Sequence, residues 1–306
     1  MDLPGLLRDF TLPRVSSQLM TVPNLSSSPT DRVLTPTRVL AAIIIPFLVL
    51  AFLVLFPWPG DTQRLFAWRI TPSMSPMVLG SVYLGGAYFF LRVTRAAQWH
   101  TVAGGFLPVA TFASLMGVTT ILHWDRFIHG NLAFSLWVAL YFTTPFAVFA
   151  VFFRNRREYV AAKEDDLCIG QVAAYMIVTA GVASVLTAIF LYLLPNRAIN
   201  IWPWHLTPLT ARTLAAIFAL GLAGLGAVRE RRWSAARILL QVEGFMLALI
   251  LISGVRARSE FDSSRVLTWM LVFGFVGTAL ATIGLYLRME SLARAGQRRT
   301  AALHER

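Results

Sequence analysis

Of 306 residues, one is a cysteine (Cys168) and one is a lysine (Lys163). A lone thiol excludes an intrachain disulfide and any multi-cysteine metal site. Charged residues make up 14% of the chain against 57% hydrophobic ones, too few to give its helices the charged faces of a soluble amphipathic bundle. Acidic residues are scarcer still, 15 against 27 Lys and Arg. The sequence contains no Gly-x-Ser-x-Gly, no His-Glu-x-x-His, no phosphate loop and no dinucleotide fingerprint, so no enzyme class is marked by a short motif. The first 38 residues carry Pro, Ser and Thr but no apolar stretch of signal-peptide type.

The chain has long apolar runs instead. Eight stretches, at about 39–57, 74–92, 101–122, 133–153, 168–194, 209–228, 235–254 and 266–287, approach the ~20 residues that cross a hydrocarbon layer. Mean hydropathy is +0.64. These features predict an all-α integral membrane protein of about eight transmembrane helices. The expected divisions are a disordered cytoplasmic tail (1–38), a first four-helix membrane unit (39–160), a second (161–290) and a cytoplasmic tail (291–306).

The net charge of +12 follows topology rather than a nucleic-acid surface. With eight spans, 19 of the 27 basic residues fall on the side shared by both termini. Lys and Arg resist translocation, which predicts cytoplasmic termini in a cell inner membrane. The basic loops are also suited to anionic lipid. No interleaved aromatic platform accompanies them, so nucleic acid is not an expected partner. The lipid bilayer is one, with other membrane subunits or a second copy of the chain as further possibilities. The Arg, Ala and Leu bias points to a GC-rich bacterial genome.

Two segments repeat. Trp68, Thr71 and Pro72 match Trp204, Thr207 and Pro208 at an offset of 136, and Trp99 and Phe127 match Trp233 and Phe261 at 134. Trp137 matches Trp269 at 132. The expected arrangement is two tandem parallel repeats of four helices, related by an axis along the membrane normal. In each, the threonine suits an N-cap and the proline the first helical position. Trp68 and Trp204 are expected at the headgroup level. An outer vestibule shared by Trp68, Arg69, Trp204 and His205 is the functional alternative.

Polar residues in apolar surroundings are the candidate sites. Glu243, with Gln241 nearby, lies about mid-span in the seventh run, where a carboxylate is costly unless protonated, paired or facing water. The outer turn His-Trp-Asp-Arg-Phe-Ile-His-Gly supplies His123, Asp125, Arg126 and His129, with His205 as a distant neighbour. On a helix, His123 and His129 would stand ~240° apart, unable to grip one ion. Asp125 and His129 would share a face, which admits a proton-linked pair. The plainer reading is a structural cap in which Asp125 and Arg126 satisfy loop backbone or pair with charges such as Arg256, Arg258, Glu260 and Asp262, and Asn131 caps the next span. No metal or cofactor is expected. His100 and His304 lie outside the runs, leaving no intramembrane histidine pair for haem.

The paired Trp-x-[Ile/Leu]-Thr-Pro and "ILHWDRFIHG" make the chain resemble a family of uncharacterised bacterial polytopic membrane proteins, mainly over residues 66–153. That resemblance implies no substrate, cofactor or catalytic residue. Two function classes follow from the residues: a small-solute or ion transporter or channel, resting on Glu243 and the repeat, and a non-catalytic scaffold subunit of a larger membrane complex. An enzyme or sensor would rest on the outer His-Asp-Arg cluster alone.

Overall fold

A computed structural model describes residues 29–304, with side chains as far as residue 298. It is 79% helical, and the described residues contain only two isolated β-bridges besides. Eight helices are long and apolar enough to cross a membrane. They are α1 (Thr35–Leu55), α2 (Met74–Arg95), α3 (His100–Leu122), α4 (Leu132–Asn155), α5 (Gln171–Leu193), α6 (Pro208–Val228), α7 (Trp233–Arg256) and α8 (Val266–His304). The expectation of a disordered tail over residues 1–28 lies outside the described residues. Residues 29–38 are ordered, and α8 continues as one helix past residue 290 into the segment expected as a tail.

Four helices form the centre of the bundle. Helix α2 packs against α1 on one side and α7 on the other, and α3 packs against α4, α6 and α7. Helix α2 is therefore the most buried, at 78% of its apolar window, whereas α8 is 11% buried and presents its apolar surface outward. A lipid-facing helix needs no polar outer face, which explains exposed Phe273, Leu280 and Leu287 on α8.

One face of the bundle, here the terminal face, carries residues 29–34 and the α2–α3, α4–α5 and α6–α7 loops; the opposite face is the distal face. The extended backbone before α1 pairs antiparallel with the α2–α3 loop, as Val33 N–H donates to Ala97 O (3.3 Å) and Trp99 N–H to Asp31 O (2.6 Å). Before α5 the same two bonds recur, from Ile169 to Arg231 (2.8 Å) and from Trp233 to Leu167 (2.7 Å). On the distal face, Ile128 N–H donates to Ala67 O and Asp262 N–H to Pro203 O, both at 2.8 Å. Each pair of bonds is separated in sequence by 136 and 134 residues. Burial is less regular: Trp99 and Trp233 are both buried, but Trp137 is buried and Trp269 half exposed.

Helix starts depart from expectation at one of the two Thr-Pro elements. Thr207 caps α6, accepting from Thr210 N–H at 3.2 Å. Thr71 does not cap α2, which begins at Met74. There Glu260, from the α7–α8 loop, accepts from Ser73 N–H (2.9 Å) and Met74 N–H (2.8 Å). A carboxylate at a helix N-terminus satisfies orphan donors and complements the dipole. Glu260 thus joins the two halves of the chain rather than meeting Arg126.

Close backbone approach shapes α6. A Cβ on Gly181 of α5 would lie 2.7 Å from Gly221 O, and one on Gly224 would lie 2.9 Å from Ile177 O. Ser184 donates to Phe218 O at 2.7 Å in the same contact. Past Phe218, α6 alternates between α and 3₁₀ turns, as a glycine-rich helix pressed against a neighbour permits. The small-residue face of α5 is therefore Gly181, Ser184 and Ala188, and Ala180 points outward. Gly277 and Ala281 of α8 are likewise exposed and pack against nothing in the bundle.

The terminal face is further tied by Asn155 at the end of α4. It is fully buried, accepts from Leu34 N–H (2.9 Å) and Thr37 Oγ (2.8 Å), and donates to Arg32 O (2.9 Å). Replacing it by alanine strands several buried groups at once. We expect Asn155→Ala to destabilise the protein by about 2–4 kcal/mol, read as a lowered unfolding midpoint in detergent micelles. A midpoint within error of wild type would contradict that role.

Candidate functional site

At the terminal face, the first turns of α3 and α7 meet. Asp31, in the segment before α1, accepts from His100 N–H through Oδ1 at 3.0 Å and so caps α3. Its Oδ2 contacts His100 Nδ1 in a short hydrogen bond. His100 Nε2 lies 2.8 Å from Ser234 Oγ on α7. Asp31 and His100 are buried at 7% and 6% exposure, whereas Ser234 is only partly covered. Asp31 holds φ at +54°, a left-handed conformation that aspartate tolerates better than most residues.

Ser234 lines a half-open cavity of about 200 Å³ together with Arg92, Arg95, Thr101 and Arg237. Arg92 is held by Tyr88 Oη (3.0 Å) and Gln241 Oε1 (2.8 Å), and Gln241 Nε2 donates to Tyr286 Oη (2.8 Å). This network links α2, α7 and α8. Arg237 donates through Nη2 to Glu290 Oε1 at 2.7 Å, but its buried Nε has no partner. Pinned by Glu290, Arg237 contributes a fixed positive charge to the cavity lining.

Nearby on the same face, Glu230 accepts from Arg232 (2.6 and 2.9 Å) and from Tyr159 Oη (2.6 Å). Burial alone would raise the Glu230 carboxyl, but these hydrogen bonds outweigh it and bring its pKa down to about 2. It is therefore a fixed anion holding the α4–α5 and α6–α7 loops together.

The residues singled out from sequence are spread over several environments. Gln241 belongs to the network beside the cavity. Glu243 has the Thr282 hydroxyl of the neighbouring helix α8 beside it. On the distal face, Asp125 and Arg126 pair with each other at 3.3 Å and both are largely exposed, instead of meeting the α7–α8 loop. In that loop Arg265 holds Asp262 (2.8 Å), and Arg256 donates to Phe56 O (2.8 Å). Asn131 caps α4, accepting from Phe134 N–H at 2.7 Å. His129 meets Trp124 at a tilt and Phe134 edge-on, while His123 accepts from Arg212 (2.7 Å). His205 is exposed.

Trp68 and Trp204 are both buried, at 2% and 4%, so protein rather than water covers their rings. Each packs on the phenylalanine of a distal loop, Phe127 at 5.2 Å and Phe261 at 5.3 Å. Trp204 also donates to Ser75 Oγ at 2.9 Å. Among the described residues, no three or more His, Cys, Asp or Glu side chains are grouped to hold a metal ion.

Sequence reasoning missed Asp31, His100, Ser234, Arg95 and Arg237. One signal was available: the offset of 134 that aligns Trp99 with Trp233 also aligns His100 with Ser234. No known family model, curated protein or solved structure matches the chain.

His123 offers a direct check of the distal geometry. Its burial, and then the Arg212 guanidinium, hold its pKa below the ordinary value of 6.5. We expect its imidazole, followed by NMR, to gain a proton only below that pH. The Arg212 contact then weakens as pH falls, because a protonated ring cannot accept. Arg212→Gln should raise the titration midpoint; an unchanged midpoint would refute the contact.

Proposed function

We propose that this multi-pass membrane protein binds an anionic, phosphate-bearing amphiphile at its terminal face. The supporting observation is the convergence of Arg92, Arg95 and Arg237 with Thr101 and Ser234 on one cavity between α2, the α2–α3 loop and α7. Arginine guanidinium groups match phosphate oxygens in charge and geometry. Basic pockets between helices at the membrane surface suit lipid headgroups. The cavity volume matches a headgroup better than a whole lipid, so the acyl chains would lie outside, along the bundle.

The reading includes a topology. The basic bias of this face supports cytoplasmic termini in a bacterial inner membrane. The recurrence of the bridge, loop and aromatic contacts at offsets of 136 and 134 supports two tandem parallel four-helix units, with the cavity at their junction. Transport of a small solute or ion ranks lower, because Glu243 is engaged by Thr282 on a neighbouring helix. A scaffold subunit is compatible with the lipid site but does not account for the three converging arginines.

The test is thermal stability of the purified protein in neutral micelles supplemented with phosphatidylglycerol, phosphatidylcholine or inorganic phosphate. Phosphatidylglycerol should raise the unfolding midpoint more than phosphatidylcholine. The gain should shrink in Arg95→Gln by about 1 kcal/mol of binding energy, roughly fivefold in affinity, and should fall with salt. Stabilisation by phosphate alone would assign the site to a free anion. Equal effects of both lipids, unaltered by Arg95→Gln, would refute the reading.

A further inference from the structure

The arrangement of Asp31, His100 and Ser234 exceeds what a binding pocket or a helix cap requires. Capping of α3 is complete with the Asp31 Oδ1 bond to the His100 N–H, and the segment is already held by Asp31 to Glu158 (2.8 Å) and Trp99 backbone bonds. The second oxygen of Asp31 and both ring nitrogens of His100 extend this into a continuous chain that ends on a hydroxyl. That hydroxyl, Ser234 Oγ, belongs to a residue lining the basic cavity. A carboxylate on Nδ1 and a serine on Nε2 is the geometry in which imidazole acts as general base toward the serine.

We propose that Ser234 is a nucleophile, His100 its general base and Asp31 the positioning residue, and that together they hydrolyse a carboxylic ester of an anionic phospholipid. The inference rests on the binding reading for its substrate class and on the hydrogen-bonded chain for its chemistry. Ser234 is the second residue of a membrane-crossing helix, so its hydroxyl stands near the membrane surface, where phospholipid ester groups lie. Arg92 and Arg95 receive the phosphate. Arg237, one turn after Ser234 on the same helix, adds a third positive charge to the cavity lining.

The steps balance without another cofactor. With the His100 proton on Nδ1 and held by Asp31, Nε2 accepts the Ser234 proton as Oγ bonds to the ester carbonyl carbon. The bond from that carbon to the glycerol oxygen then breaks, and the departing oxygen takes the proton from Nε2, releasing a lysophospholipid. Water next gives a proton to Nε2 as its oxygen bonds to the acyl carbon. The acyl–Oγ bond breaks, Oγ recovers the proton, and a fatty acid leaves.

The test uses the full-length protein in micelles and a small fluorophosphonate, which bonds to serine hydroxyls activated by a neighbouring base. Peptide mass analysis should place the adduct on Ser234, and Ser234→Ala, shown to be folded by its unfolding midpoint in neutral micelles, should abolish it. His100→Gln should slow labelling by on the order of 10²–10⁴-fold. Asp31→Asn, which keeps the shape of the cap, should slow it and change its dependence on pH, a readout that a purely structural role would not move. In phosphatidylglycerol vesicles the wild type should release fatty acid and Ser234→Ala should not. Absence of an adduct on folded wild-type protein, or labelling unaffected by His100→Gln, would overturn the proposal. Lipid stabilisation without labelling sinks the catalytic inference and keeps the binding site; labelling without a phosphatidylglycerol preference supports the nucleophile and removes the anionic lipid.

Discussion

The backbone of Asp31 is the anchor on which the terminal face depends. Its N–H donates to Glu158 O, its carbonyl accepts from Trp99, and its carboxylate engages both the backbone and the ring of His100. One residue therefore joins the start of α1, the start of α3 and the segment after α4. In a bilayer protein, backbone groups at span ends need partners before the chain enters the apolar layer. The bridge from residues 31–33 to 97–99 provides them, and Asn155 closes the same junction from α4. The cavity lies next to this junction, where the chain is held from several directions.

The second half of the chain reuses the bridge but not the side chains. Leu167 stands where Asp31 stands, and Ser234 stands where His100 stands, while the backbone bonds recur. At that bridge the acid and the imidazole are gone. What remains is a hydroxyl on the first turn of α7, facing the imidazole on the first turn of α3. Residues 134 apart in sequence thus meet at the terminal face and contribute different groups to one hydrogen-bonded chain.

Polar groups within the bundle follow the same economy. The Arg92–Tyr88–Gln241–Tyr286 network spans three helices, and Tyr83 and Tyr141 share a hydrogen bond of 2.7 Å between α2 and α4. Trp137 donates to Thr120 at 2.9 Å. With little water available, a buried polar side chain is retained where another helix offers a partner. That rule accounts for Glu243 and Thr282 as well as for Glu260 at the start of α2. The exceptions among the described residues are Trp68 Nε1, Trp202 Nε1, Arg237 Nε and Glu290 Oε2, which are buried without a partner.

Eight spans were legible because a helix crossing hydrocarbon must be apolar along its length, and that requirement acts on each segment independently of its neighbours. The Asn131 and Thr207 caps were legible for the same local reason. The covering of Trp68 and Trp204 was not legible, because an indole near a span end is equally able to pack beneath a loop phenylalanine, and only the folded loop decides. The site was legible only through the 134 offset that aligns His100 with Ser234: Asp31, His100 and Ser234 are separated by 69 and 134 residues and form no local motif. Sequence by itself determined a helical membrane bundle with a basic face. Which polar groups meet on that face was decided only by tertiary structure, because hydrogen-bond partners are chosen by the packing of distant helix ends.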